Sequence, residues 1–378
     1  NMQDVTYTEL IILEYRDRTD LADAKYDDKI NMQDVTQIEL VILGKEKELT
    51  LLDTADRIVT VNKPIKRLVV CFPHPLETLR SIKVPKDIVV GVAKDRLDMS
   101  FFPEFDDVPS VGWRWTPDIE AILDLQPDAV IIYPSRMDKT LNVLESADIP
   151  ALQFHCNMME IHPEEARKLG YIFGNEEEAE EYLGWRADIL DSIEEVVEGI
   201  AEDDRPDVYF ETSFGAGGYS SHSMSEILVT SAGGRDIFAG RTASEVDPEA
   251  VVDRNPDFIV KTASWELGGY GVDVDGPDGL AKLKEVRDGV MSRPELQKVK
   301  AVEDEEVYII TVHLVSFYPV SGCRHFVAIA YMAKWFHPEL FGDLDPQAIH
   351  QEYLTKFQGL DADLNEKGVF VYPPLEVS

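Results

Sequence analysis

A nine-residue motif occurs twice in the chain. The first copy begins at Glu120 and ends at Asp128, and the second begins at Glu249 and ends at Asp257. Both copies have the spacing Glu-Ala-x-x-Asp-x-x-Pro-Asp, and both lead directly into a short apolar run. Proline disfavours helix in the residue before it, so each copy predicts a short helix followed by a buried strand. The repeat therefore predicts two similar α/β units, each presenting one acidic helix.

Short apolar runs alternate with helical stretches after residue 45. We predict strands at residues 68–72, 88–92, 129–133, 151–154, 208–210, 258–260 and 307–311. Strands that alternate with helices form mostly parallel sheets. The longest helical stretch, residues 176–202, keeps its apolar residues three to four positions apart. It would extend about 40 Å and could connect two units as a stiff spine.

The order of several motifs resembles the substrate-binding proteins of bacterial and archaeal ABC importers, in the class that captures ferric siderophores, haem and cobalamin. Besides the two acidic motifs, the stretches that carry this resemblance are residues 115–120, 231–238, 293–310, 337–341 and 353–359. The resemblance implies a protein that is not an enzyme. It also implies an ABC permease as partner, with Glu120 and Glu249 docking onto permease arginines.

The first 44 residues contain a second repeat. A segment that starts at Asn1 recurs at Asn31, and each copy predicts a helix. Between them, Asp23, Asp27 and Asp34 take positions 1, 5 and 12 of a loop, which is calcium-loop spacing. The arrangement resembles a dockerin, which implies a possible calcium ion and a cohesin-like partner.

The loop also departs from the dockerin pattern. Lys25 stands where an oxygen ligand is expected, and Asp28 where glycine would ease the turn. In the first copy only Asp4 of the ligand set is present. The alternative is a small helical hairpin with a solvated acidic loop.

The expected fold class is therefore α/β, with two Rossmann-like lobes joined by a long helix and a small all-α dockerin-like module at the N-terminus. The expected boundaries are residues 1–44 for the module, 45–172 for the N-terminal lobe, 173–203 for the connecting helix and 204–378 for the C-terminal lobe. We expect a monomer outside the cell or in a periplasm, associated with the membrane through parts absent from this chain. No cofactor is required.

Composition narrows the possible partners. The 378 residues carry a formal net charge of −36, which disfavours nucleic-acid binding by a broad basic surface. Three widely spaced cysteines, Cys71, Cys156 and Cys323, form neither a disulfide framework nor a metal motif. At most one pair could form a disulfide, and buried free thiols are expected. No apolar run of 18 residues predicts a membrane span.

The expected ligand lies between the two lobes, beyond the carboxyl ends of the strands. Aromatic side chains there offer flat apolar faces, and arginines offer planar donors for oxygen-rich chelates. The candidate contacts are Trp113, Arg114, Tyr133, Arg136, Tyr219, Trp265 and Tyr318. In the alternative interpretation, Trp113 or Tyr133 covers a lobe core and Arg114 pairs with Asp118. The sequence does not choose among siderophore, haem and cobalamin.

Two other functions remain open at this point. Four histidines in the predicted loops could converge on a free zinc or manganese ion, since imidazole is the commonest transition-metal ligand: His74, His155, His222 and His313. A metal chelatase is the enzyme alternative, with His222 and Glu211 as its acid–base pair. No nucleophile elbow, zinc-protease motif or phosphate loop occurs.

Overall fold

The structure is a computed structural model that describes residues 1–95, 97–135, 137–212, 219–240, 244–315 and 323–375. It divides into two compact units. Unit 1 comprises Asn1–Cys156 with Glu160–Tyr182, and unit 2 comprises Asn157–Met159 with Leu183–Ser378.

Unit 1 begins with two short helices, α1 (Met2–Ile12) and α2 (Met32–Ile42), and a 3₁₀ turn at Asp20–Ala22. The repeated sequence gives the two helices the same start. Asn1 and Asn31 are the N-caps, and Asp4 and Asp34 close a capping box on each. This confirms the prediction of two helices. Both helices belong to unit 1.

The rest of unit 1 is a parallel α/β fold preceded by an antiparallel hairpin. Its strands are β1 (Glu48–Leu52), β2 (Ile58–Asn62), β3 (Leu68–Val70), β4 (Val89–Val92), β5 (Gly112–Trp113), β6 (Thr116–Pro117), β7 (Ala129–Ile132) and β8 (Ala151–Gln153). Its helices are α3 (Pro73–Ser81), α4 (Ile119–Asp124), α5 (Asp138–Ser146) and α6 (His162–Phe173), with 3₁₀ turns at Lys86–Ile88 and Pro103–Phe105.

Four strands form the central sheet of unit 1, in the order β4-β3-β7-β8, and all are parallel. Strands β3, β7 and β8 are buried along their whole length because helices cover both faces of such a sheet. These strands confirm the first four predicted apolar runs. The hairpin of β1 and β2 was not predicted.

Helix α7 (Glu176–Glu198) carries the chain from unit 1 into unit 2. Its 23 residues extend about 34 Å. The helix is four residues shorter than predicted, because Gly199 follows it and a 3₁₀ turn at Glu202–Asp204 replaces its last turn.

Unit 2 is a second α/β fold. Its strands are β9 (Asp207–Glu211), β10 (Ser220–Ser221), β11 (Arg235–Asp236), β12 (Ser244–Glu245), β13 (Phe258–Ala263), β14 (Gly269–Asp273), β15 (Val307–Thr311), β16 (Lys367–Val369) and β17 (Val371–Tyr372). Its helices are α8 (Ser223–Ser231), α9 (Pro248–Arg254), α10 (Leu280–Met291), α11 (Lys300–Glu303), α12 (His325–Phe336) and α13 (Pro346–Glu352), with a 3₁₀ turn at Pro294–Leu296 and a π turn at Tyr353–Phe357.

The central sheet of unit 2 has the order β11-β9-β13-β15-β17. The first four strands are parallel, and β17 is an antiparallel edge. Helix α12 is buried at every position except Lys334, as expected for a helix that is apolar on all sides. Strands β9, β13 and β15 confirm the last three predicted runs.

The two copies of the acidic motif fold in the same way. The first forms α4 and leads into β7, and the second forms α9 and leads into β13. The final aspartate of each copy anchors the chain entering the neighbouring strand. The Asp128 carboxylate accepts from the amides of Lys66 and Arg67, at 2.7 and 2.9 Å. The Asp257 carboxylate accepts from the Asp207 amide at 2.8 Å. These aspartates are therefore structural.

All three cysteines are free and buried, as expected, and burial raises the pKa of the Cys71 thiol to about 12. Among the described residues, no helix is both long enough and apolar enough to cross a membrane.

Candidate ligand-binding site

In both units, loops follow the carboxyl ends of the parallel strands, where open α/β sheets bind ligands. In unit 1 these loops bring a group of aromatic rings around Tyr133, which directly follows β7. Its ring meets those of Phe72, Trp115 and His155 edge to face, with centroids 5.2, 5.1 and 5.0 Å away. Burial, with a smaller contribution from Glu165, raises the pKa of the Tyr133 phenol. Tyr133 is therefore a neutral hydrogen-bonding group at the centre of this aromatic group.

Trp113 lies two residues before Trp115 in the chain and is exposed. It lies in the two-residue strand β5, which pairs with β6, and 51% of its surface is open to solvent. About half of this large apolar side chain is therefore covered in unit 1, and the other half faces solvent. In unit 2, Trp265 follows β13 and is 43% exposed. The other two predicted contacts that follow these strands, Arg136 and Tyr318, lie outside the described residues.

Arg114 is anchored by an acidic side chain. Its guanidinium forms an ion pair with Asp95, and its backbone amide donates to the same carboxylate at 2.7 Å. The guanidinium also lies 5.5 Å from the centre of the Trp115 ring. The alternative partner, Asp118, caps helix α4 by accepting from the Ala121 amide. Arg114 thus holds the Trp115 loop against the loop after β4.

Tyr219 has a packing role. Only 7% of its surface is exposed, and it belongs to the core of unit 2. The Arg293 guanidinium lies 4.5 Å from the centre of its ring, and its hydroxyl donates to Glu295 at 2.7 Å. Its predicted ligand contact stays a prediction, but the structure gives this side chain little open surface.

Glu211 forms two ion pairs in the same region of unit 2. It ends strand β9 and is fully buried. Arg293 donates to both of its oxygens, at 2.6 and 2.8 Å, and the Lys261 ammonium lies 2.8 Å away. Lys261 pairs with Glu211 in the sheet register, which explains their proximity. The carboxylate is therefore the charge partner of two cations.

Glu165 plays a comparable part in unit 1. This buried carboxylate on α6 accepts from the amides of His155 and Cys156, each at 2.7 Å, and from the Thr54 hydroxyl. Burial raises its pKa despite these hydrogen bonds. Sequence reasoning missed Glu165. The available signal was an acidic residue next to the apolar positions of a helix, Ala166 and Leu169.

The four histidines differ in their contacts and burial. Burial lowers the pKa of His155, whose Nδ1 is buried without a hydrogen-bond partner, so this imidazole is neutral near pH 7. His74 is buried in the first turn of α3. His222 caps α8 by accepting from the Met224 amide at 3.1 Å. Burial, assisted by Arg324, lowers the pKa of His313 to about 3.

The described residues do not assemble a metal site. Within them, no group of three His, Cys, Asp or Glu side chains is arranged to hold a metal ion. The predicted acid–base pair of a chelatase is also otherwise engaged, because Glu211 forms ion pairs with Arg293 and Lys261 while His222 caps a helix. That enzyme alternative is therefore not supported.

The N-terminal aspartates act as backbone acceptors. Asp23 accepts from the amides of Asp27 and Asp28, at 3.1 and 2.7 Å. Asp34 accepts from the amides of Lys25 and Asn31. These bonds shape the loop, and the assignment of Asp23, Asp27 and Asp34 as calcium ligands stays a prediction.

Glu120 and Glu249 occupy matching positions in the two units. Each is exposed in the first turn of its helix, next to an aspartate N-cap, Asp118 or Asp247. Neither glutamate is required by the packing of its own unit. Exposed carboxylates of this kind are available to a partner.

Comparison with known proteins identifies the family. Residues 68–313 match the model of the periplasmic binding protein family, and the chain belongs to that family. The expectation that it is not an enzyme agrees with this membership. The match does not include the N-terminal 44 residues, so the comparisons do not support the dockerin-like assignment.

A curated relative is the cobalamin-binding protein of Halobacterium salinarum, 25% identical over 223 residues. The match covers 56% of this chain and 58% of the relative, which is less than two thirds of that protein.

Solved structures support the fold. The TroA-like periplasmic binding protein FepB from Veillonella parvula has a TM-score of 0.69 and 24% identity, over 85% of this chain and 98% of its own. The molybdate-binding protein MolA of Haemophilus influenzae has a TM-score of 0.64 and 17% identity, over 83% and 99%. CeuE of Helicobacter pylori with nickel bound has a TM-score of 0.61 and 16% identity, over 83% and 97%.

Proposed function

We propose that this chain is the solute-binding component of an ABC importer and that it captures a metal chelate. Membership of the periplasmic binding protein family supports the role in transport. The named ligands of similar proteins, cobalamin, molybdate and nickel, support a metal-containing cargo. The protein would act outside the cell or in a periplasm and hand its cargo to a permease.

The observation that carries the choice of cargo is the aromatic group at the carboxyl edge of the unit 1 sheet. Trp113, half exposed, offers a flat apolar face, and the rings of Trp115 and Tyr133, which follow it in the chain, are in edge-to-face contact with each other. Such walls suit a bulky, partly apolar chelate. A bare ion would instead need several converging ligand atoms, and the described residues contain no such group. A chelate is therefore favoured over free zinc or manganese.

Glu120 and Glu249 are proposed to dock onto basic pockets of the permease. One exposed ion pair contributes little free energy, typically below about 1 kcal/mol. Two matched carboxylates, one on each unit, would mainly fix orientation and speed encounter. This role would explain why both copies of the motif contain an exposed glutamate in addition to the structural aspartate at their end.

The proposal is tested by titrating the purified protein while following tryptophan fluorescence. The probes are cyanocobalamin, a ferric siderophore, haemin, and zinc or manganese chloride. We expect saturable quenching by a chelate, and loss of that response in Trp113→Ala. Ile58→Ala is the matched control, since it removes another exposed apolar side chain of unit 1. A saturable response to a bare ion alone, lost in His155→Ala, would contradict the proposal.

A second proposed function concerns helices α1 and α2. Among the described residues, nine of the fifteen large apolar side chains that are exposed lie between Met2 and Leu43. The five positions exposed in both repeats are also identical in sequence, including Met2 and Met32, and Leu13 and Leu43. Packing does not require identity at exposed positions, so these faces are proposed to bind a protein partner of the cohesin-like type.

This second function is tested with a cohesin module in a binding assay that uses the whole chain. We expect Leu13→Glu and Leu43→Glu together to abolish binding, and Leu340→Glu, an exposed position of unit 2, to leave it unchanged. If several cohesin modules fail to bind the unmodified chain, the cohesin-like assignment is wrong.

A further inference from the structure

The turn that follows β8 is held by a buried side chain of α6, Glu165. One oxygen of its carboxylate accepts from the His155 amide and the other from the Cys156 amide, each at 2.7 Å. The Thr54 hydroxyl donates to the first of these oxygens. All four residues belong to unit 1. Because both carboxylate oxygens accept from successive backbone amides, the direction of the chain in this turn is fixed by Glu165.

Cys156 has a backbone conformation that residues other than glycine rarely adopt. Its φ is +53°, in the left-handed region, and its side chain is fully buried. This conformation is unfavourable for an L-residue because Cβ comes close to the following carbonyl oxygen. Such strain persists only where surrounding contacts impose it. The two amide hydrogen bonds to Glu165 are contacts of this kind.

The same turn determines where the His155 ring lies. That ring packs edge to face on Tyr133, with centroids 5.0 Å apart and planes at 88°. Tyr133 in turn contacts the Trp115 ring, 5.1 Å away. Among the residues that the structure describes, no group hydrogen-bonds to the buried Nδ1 of His155. The orientation of the imidazole therefore depends on the backbone turn and on its ring contacts.

A separate set of hydrogen bonds fixes the chain just before the turn. The Gln153 amide donates to Asp53 at 3.2 Å, and the Gln153 carbonyl accepts from the Thr54 amide at 2.9 Å. The Gln153 side chain donates to the carbonyl of Tyr133 at 3.3 Å. With the end of β8 fixed at Gln153, the conformation of the next residues decides where the His155 ring lies.

From these contacts we propose that Glu165 is a positioning residue of the ligand-binding site. By holding the strained turn at Cys156, it keeps the His155 ring against Tyr133 and keeps this aromatic surface in one arrangement. This inference rests on the proposed function. A surface that is ordered before binding loses less conformational freedom when the ligand binds, which increases affinity. Glu165 acts through His155 and does not itself touch the cargo.

Glu165→Gln tests the inference, with Glu164→Gln as the matched control. Glutamine has nearly the same shape, but its NH₂ group replaces an oxygen that accepts from the backbone. Glu164 is the neighbouring residue on α6, and its side chain is 69% exposed and paired with Lys168. The probes are cyanocobalamin, haemin and a ferric siderophore. For each probe that binds the unmodified chain, we expect about a tenfold loss of affinity in Glu165→Gln and no change in Glu164→Gln.

Two further readouts separate positioning from a general loss of stability. The ring current of Tyr133 shifts the imidazole proton signals of His155, and in ligand-free Glu165→Gln these signals should move toward their unfolded values. Glycine adopts a positive φ without strain, so adding Cys156→Gly to Glu165→Gln should recover at least about threefold in affinity. His155→Ala leaves the backbone hydrogen bonds of the turn in place and should lower affinity by about the same factor as Glu165→Gln.

Unchanged affinity in Glu165→Gln would overturn the inference and leave the proposed function intact. Reduced affinity with unshifted His155 signals, or a glycine double variant that binds no better, would also overturn it. If Glu165→Gln does not fold, His155→Ala decides, and full affinity in that variant would refute the positioning role. A folded, unmodified chain that binds none of the three chelates would contradict the proposed function and the inference together.

Discussion

Replacing Glu211 by glutamine should destabilise unit 2 strongly. The carboxylate is fully buried, while 18% of the Arg293 side chain and 14% of the Lys261 side chain are exposed. Glutamine has nearly the same shape but leaves both cations without a charge partner in a largely desolvated site. Breaking a buried ion pair from one side typically costs about 3–5 kcal/mol.

We take the lower end of that range, about 3 kcal/mol, because both cations reach solvent and can recover part of their hydration. For a unit of this size, each kcal/mol shifts the melting temperature by about 2–4 °C. The expected decrease is therefore about 6–12 °C. Thermal unfolding followed by circular dichroism would measure it, and urea unfolding would give the free energy directly.

The control is Asp288→Asn, which removes half of an exposed pair with Lys284. That change should cost no more than about 0.5 kcal/mol. The double variant Glu211→Gln with Arg293→Met should lose less than the sum of the two single variants, since it removes both charges together. A decrease in the free energy of unfolding below about 1 kcal/mol in Glu211→Gln would refute the claim that the ion pairs of this carboxylate stabilise unit 2.

Four other predictions follow from the structure. Charge reversal of both Glu120 and Glu249 to lysine should abolish transport in a reconstituted importer while chelate affinity stays unchanged; surviving transport would exclude the docking role. Stability should fall as pH drops below about 6.5, because burial and Arg324 lower the pKa of His350 to about 3 in the folded state. Below about pH 6.5 the unfolded chain therefore binds a proton at His350 that the folded protein does not bind, which favours unfolding. Urea midpoints measured against pH should show a smaller decline in His350→Gln. Asp128→Ala and Asp257→Ala should each cost about 1–3 kcal/mol, since backbone amides lose a charged acceptor, and a neutral effect in urea unfolding would argue against the anchoring role. The calcium hypothesis predicts that chelation lowers the melting temperature, that added calcium restores it, and that Asp27→Ala removes the response; an unresponsive unmodified chain would exclude calcium.

Apart from the two-residue edge strands β11 and β17, the strands of both central sheets could be predicted, because buried parallel strands are continuous apolar runs. The acidic motif was equally informative, since its proline and final aspartate are local signals and both copies fold alike. The hairpin of β1 and β2 was missed because its strands are partly exposed and mix polar with apolar residues. Residue Ile58, for example, begins β2 and is exposed.

The side chains of the candidate site were harder to predict than the strands. Tyr219 follows a strand, but Arg293 and Glu295, which hold it in the core, come more than seventy positions later. The partner of Arg114 is Asp95, whereas the nearer Asp118 caps a helix. Which acid reaches which base depends on the tertiary fold, and a single sequence does not contain that information in local form.

The most direct test of the account is native mass spectrometry of the whole chain in an equimolar mixture of cyanocobalamin, haemin, a ferric siderophore and zinc chloride. The proposed function predicts an adduct with one chelate per chain. The adduct should be lost in Trp113→Ala and retained in the permease-docking variant Glu120→Lys. An adduct with zinc alone, or a folded protein that retains none of the chelates, would contradict the central claim.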